Sequence, residues 1–267
     1  MARTFIAASS ESLSLATCPI SAFPFTYAFW FNPPTDDGVN DWMFYMGNDN
    51  DKTMVGPSWA TAGNPIRHVG ETASGNFNSS NGVNAAAWNS LSYTQTDDTN
   101  QSLWLNGTNT TNGNADSGID PSTWNKISFG AVLRASALFY DGSIALVAVW
   151  DVALSAADHA GLHDGYHPYL IQPESLVFFA PCGGLDGAND QDIDLISGTA
   201  LTVGGTPTTA DHPPGLIYPS RPQLIIPAAA ITAAITGTAT ATIDETDVVA
   251  GGKTIITTLT GDTWVTA

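Results

Sequence analysis

Apolar and polar positions alternate over short spans through residues 1–215, and clusters of Asn, Gly, Asp, Ser and Thr punctuate them. That rhythm predicts an all-β sandwich. Along Phe25–Asn32, Phe25, Tyr27, Phe29 and Phe31 fall on one face of a strand, with Thr26, Ala28, Trp30 and Asn32 on the other. Residues 144–150 break the alternation: every position is apolar, which predicts a strand covered on both faces after an Asp141-Gly142 turn. One short helix follows. Ser155 stands where an N-cap belongs, Asp158 supplies the third-residue partner of a capping box, and Asp164-Gly165 gives the stop signal. Residues 173–181 read as a returning strand, and the long polar loops at 33–41, 48–57, 94–100 and 108–122 are places for ligand or partner contacts.

Segments spread along residues 1–215 resemble, in the right order, the laminin G-like, concanavalin A-type sandwich. Phe25-Thr-Tyr-Ala-Phe-Trp is similar to its early strand, and Trp88-Asn-Ser-Leu-Ser-Tyr93 with Leu103-Trp-Leu-Asn-Gly107 is similar to its hairpin. The run from Phe139 through Gly142 and Ile144 to Ala153-Leu-Ser155 resembles its strand leading into a helix, and Asp194 to Gly198 followed by Leu201-Thr-Val203 resembles its closing tail. The resemblance implies a two-sheet antiparallel jelly-roll sandwich over residues 1–215 with one short helix. It does not settle function, because this sandwich carries lectins, hydrolases and structural modules.

Charge narrows the partners. Twenty-five Asp+Glu against seven Lys+Arg give a net charge of −18. Such a field repels phosphate backbones and anionic membranes, which argues against nucleic-acid binding. No secretory signal is read in the first ten residues, and no run approaches a transmembrane helix. Assembly in a host cytoplasm, followed by exposure outside the cell as part of a virion, reconciles those features with an outward-facing recognition fold.

Beyond the sandwich, residues 216–230 form a proline-punctuated strap, and residues 231–267 alternate Ile, Thr and Ala as a small C-terminal β segment. About three strands bury too little to stand alone, so this segment is expected to pair with a neighbour or to open a larger module. It resembles Thr-rich β modules at the ends of some tailed-phage structural proteins.

Candidate chemistry is sparse. The E-x-D-x-x-E motif of related β-glucanases is absent, and the four glutamates, Glu11, Glu71, Glu174 and Glu245, are scattered. Asp186, Asp190, Asp192 and Asp194 stand at near-alternate positions and could wrap Ca²⁺, an ion that laminin G-like domains often carry. The family's acidic position after the Asp-Gly turn is replaced here by Ile144-Ala145-Leu146, which weakens a transferred metal site. Asp36, Asp37, Asp41, Asp49 and Asp51 form a second acidic group. His159 and His163 share a helix face; the preferred reading is a half-exposed helix whose histidines interact with its C-terminal dipole. Trp30, Trp88, Trp104 and Trp150 lie in apolar strand patterns and read as core, whereas Trp42 and Trp59 border polar loops and are the ligand candidates. Cys18 and Cys182 read as free buried thiols.

The leading expectation is a non-enzymatic virion structural protein of a tailed phage, displayed on head or tail and partnered by capsid or tail proteins and by itself. The alternatives are a carbohydrate-binding adhesin for host glycans and a polysaccharide hydrolase.

Overall fold

The computed structural model describes residues 2–34, 41–48, 54–59, 65–70, 75–84, 86–111, 119–133, 138–183 and 192–217. The strap beyond Ile217 and the segment 231–267 lie outside the described residues, as do Asp36, Asp37, Asp49, Asp51, Asp186 and Asp190. Residues 1–218 form one compact unit.

Two antiparallel sheets make the sandwich. The first runs in the order Thr108–Asn109, Gln101–Leu105, Asn89–Gln95, Phe25–Asn32, Gly142–Trp150, Ala2–Phe5, Thr208–Ala210. Leu176–Ala180 adds to the free half of Gly142–Trp150, beyond the part paired with Ala2–Phe5. The second sheet runs Thr202–Gly204, Ser12–Leu15, Lys126–Phe129, Phe44–Gly47, Met54–Trp59, Pro65–Gly70, Gly75–Gly82. The first strand of the chain thus pairs with one of the last, Arg3 opposite Thr209, and closes the unit.

The core lies between the sheets. Phe25, Tyr27, Phe29 and Phe31 all point into it, and Tyr27 stacks on Phe44 of the opposite sheet at 4.5 Å. Fully burying one such aromatic stabilises by about 1.5–3 kcal/mol, so this strand alone is a large share of the core.

The all-apolar strand owes its pattern to a bulge. Ile144, Val147 and Val149 face the inter-sheet core, while Ala145, Leu146, Ala148 and Trp150 face a second cluster on the outside of the sheet. Two consecutive outward residues are possible because the register with Phe25–Asn32 shifts between Ala145 and Ala148, and Leu146 takes a left-handed φ of 53°. The outer cluster is covered by α1, Ala156–His163, together with Ile171 and Leu154. Ser155 and Asp158 form both halves of the expected capping box.

Where the chain leaves the described structure, it is tied to the end of α1. Ile217 pairs with Tyr166, its N–H donates to the Gly165 carbonyl at 2.6 Å, and the His167 N–H donates to the Ile217 carbonyl at 2.9 Å. A side chain at Gly165 would meet the Gly215 carbonyl oxygen at 2.4 Å, so this approach requires glycine.

Candidate functional site

The carboxylates of the described sandwich act as fasteners. Asp192 is buried at 4% exposure and accepts from Arg3 Nε at 2.8 Å, an ion pair that joins the first strand to the closing tail. Asp194 accepts from the N–H groups of Phe179, Ile196 and Ser197 and from the Ser197 hydroxyl, holding the 195–198 turn. Glu11 accepts from the Ile6 N–H at 2.7 Å, and Asp141 from the Ala7 N–H at 2.6 Å. Asp97 caps its loop through Thr99 and Asn100, and those hydrogen bonds hold its carboxyl down to about 2. Of the four aspartates of the candidate calcium loop, Asp192 and Asp194 carry these structural bonds, and Asp186 and Asp190 lie outside the described residues. No group of three metal-ligating side chains is found among the described residues.

Trp42 is 7% exposed and packs with Tyr45 and Val132, so its ring face is covered. Trp59 lies in a described strand, but its side chain is outside the described residues. Trp150 is fully buried and donates its indole N–H to the Ile171 carbonyl at 2.7 Å, as its place in an apolar strand implies. Cys18 and Cys182 are free thiols, and burial pushes the Cys182 thiol well above its ordinary range.

Aromatic and hydroxyl groups gather instead under α1. Cross-strand register sets them in rows on the outer face of the first sheet: Trp30 opposite Ser90, then Ala28, Ser92 and Trp104, then Thr26, Thr94 and Ser102. His159 and His163, four residues apart, are separated by about 6 Å along the helix, close to the two-residue repeat of a strand. The histidines consequently meet different rows, His163 that of Ser90 and His159 those of Ser92 and Thr94. His163 Nδ1 bonds Ser90 Oγ at 2.9 Å and its ring stacks on Trp30; His159 bonds Ser92 and Thr94, and its ring stacks on Trp104 at 4.8 Å.

The hydroxyl chain fixes the His159 tautomer. Thr26 donates to the Val152 carbonyl at 2.8 Å, so it must accept from Thr94; Thr94 in turn accepts from His159 Nε2–H, and Ser92 donates to Nδ1. Burial pushes this imidazole down to about 4, with the charge of Asp158 opposing the shift. The expectation of a half-exposed helix whose histidines interact with its C-terminal dipole is corrected for His159, which is 2% exposed, and both rings bond hydroxyls of the sheet. The sequence signal that could have shown this was the polar alternation Ser90, Ser92, Thr94, which reads as a solvent face until a polar helix face is matched to it.

A surface depression lies beside this contact. Trp30, Leu146 and Pro168 give it apolar surface, and Ser90 and His163 give it a polar wall. Tyr166, 43% exposed, stands at its edge. Asn89 and Asn106 brace the adjoining hairpin: Asn106 Nδ2 donates to Asn89 Oδ1 at 3.0 Å, and Asn106 Oδ1 accepts the Ser90 N–H.

Comparison with known proteins agrees with this architecture. The family model Laminin_G_3, described as the concanavalin A-like lectin/glucanases superfamily, matches residues 8–158. Among solved structures, a candidate carbohydrate-binding protein from Bacteroides ovatus ATCC 8483 is similar at a TM-score of 0.57 and 17% identity. That similarity covers 79% of this chain and 60% of the Bacteroides chain. The native heptameric SAP-like pentraxin from Limulus polyphemus is similar at a TM-score of 0.50 and 13% identity, covering 76% of this chain and 90% of its own. No curated protein matches.

Proposed function

This chain belongs to the concanavalin A-like lectin/glucanases superfamily, and on that footing we propose that it is a non-catalytic carbohydrate-recognition module. The observation that carries this reading is the use made of four acids among the described residues. Glu11, Asp141, Asp192 and Asp194 are spent on backbone groups or on Arg3, each in its own part of the sandwich. Glycoside hydrolysis by the usual route needs two carboxyl groups facing each other across a bond to be cleaved. Partly buried indoles on the outer sheet face offer surface for sugar rings without chemistry. The similarity to the Bacteroides protein, described as carbohydrate-binding, points the same way. Incubating the purified chain with neutral oligosaccharides tests it: retention without release of reducing ends is expected, and steady release would overturn it.

The setting we propose is the surface of a tailed-phage virion, with capsid or tail proteins and further copies of the chain as partners and host glycans as the external ligand. Residues 231–267 support this setting, because their Ile/Thr alternation provides strand-forming sequence for edge pairing with a neighbour. Removing residues 219–267 should then release the protein from particles; full occupancy by the shortened chain would overturn the proposal.

A further inference from the structure

The depression beside α1 has the make-up of a small saccharide site. Its apolar side is the Trp30 indole with Leu146, and its rim is Tyr166. Its polar side is the Ser90–His163 pair. The pairing uses His163 Nδ1 and leaves Nε2 without a protein partner, on a ring that is only partly buried. Gly107 completes the wall by close approach: a side chain there would meet His163 Cδ2 at 2.6 Å. The ring is thus held from three directions, by Ser90, by Trp30 and by the hairpin turn. A held aromatic face beside a fixed hydrogen-bonding nitrogen matches a pyranose, which has an apolar C–H face and a rim of hydroxyls.

We propose that this depression, formed by Trp30, Ser90, His163 and Tyr166, binds a neutral hexopyranose unit of an oligosaccharide. The proposal rests on the carbohydrate-recognition reading and supplies its site. Charge selects the ligand. The net charge of −18 sets a field that disfavours sialic and uronic acids, and no Lys or Arg lines the depression to offset it. The hexose lies with its C–H face towards Trp30 and Tyr166, and a ring hydroxyl meets His163 Nε2.

The test is a titration of the full chain followed by saturation-transfer NMR. Probes are malto-, cello-, manno- and galacto-oligosaccharides of two to six units, with sialyllactose as the charged comparison. The expected result is binding of at least one neutral series, at least tenfold weaker in Trp30→Ala and severalfold weaker in His163→Phe, with little binding of sialyllactose. Trp30→Phe, which keeps an aromatic ring in the outer cluster, replaces Trp30→Ala if the latter unfolds; severalfold weakening is then expected, with transfer localised to the His163 ring in the parent. A neutral oligosaccharide that binds equally to parent and variants overturns this site and leaves the lectin reading standing. Tighter binding of sialyllactose than of any neutral series overturns the proposed ligand class. If no oligosaccharide binds the parent chain, both the site and the reading fall.

Discussion

At the scale of single residues, His159 carries the sharpest consequence. An unfolded histidine titrates near 6.5, whereas burial holds this one at about 4. Between those values the unfolded chain takes up a proton that the folded chain refuses. The contribution of the neutral ring is therefore complete above about pH 6.5 and is lost as pH falls towards 4, a swing of about 3 kcal/mol at 1.4 kcal/mol per pH unit. Urea unfolding of parent and His159→Gln should show the stability difference between them shrinking by about 2–3 kcal/mol from pH 7 to pH 4.5. A difference that stays constant would contradict the neutral buried ring. Asp194 gives a second residue-level expectation. Because its carboxylate already serves three backbone N–H groups, Asp194→Ala should cost about 2–3 kcal/mol, and the loss should be the same with calcium or with chelator. A loss confined to calcium-loaded protein would assign the aspartate to an ion instead.

At the scale of elements, α1 shows what can be read from sequence and what cannot. Ser155, Asp158 and Gly165 announce the ends of the helix because capping is local chemistry between neighbours in the chain. Its buried face is not announced. His159 and His163 look like solvent residues until Ser90, Ser92 and Thr94, some seventy positions earlier, are brought beneath them by strand register. Leu146 is a similar case: the unbroken apolar run is legible, but the bulge that turns two neighbours to the same side is set by pairing with Phe25–Asn32. Ser155→Ala should lower stability by about 1 kcal/mol through loss of the cap. Gly107→Ala should do more damage, since Gly107 has φ of +72° and its added methyl group would press on His163. The proposed saccharide affinity should fall with it, and unchanged affinity in that variant would detach the hairpin turn from the site.

At the scale of the whole molecule, the sandwich is legible because its strands repeat one rule. Each inward aromatic of Phe25–Asn32 alternates with an outward residue, and among the described residues the first and last strands pair. The candidate binding surface is less legible, since exposure of a tryptophan depends on what the chain folds over it: Trp42 is covered by Val132, whereas Trp30 stays partly exposed beside Ser90 and His163. Ile217 pairs with the end of α1. A chain ending at Tyr218 should keep the melting temperature of residues 1–218 in the full protein, while one ending at Gly215 should melt several degrees lower. Equal melting of the two shortened chains would remove Ile217 from the stable unit. The central claim, recognition of neutral glycans without catalysis, is tested most directly by passing the full chain over an array of neutral and sialylated glycans and then weighing the bound glycans by mass spectrometry. Saturable retention on a neutral subset, with every glycan recovered at its original mass, is the predicted result; no retention, or recovery of shortened glycans, would contradict it.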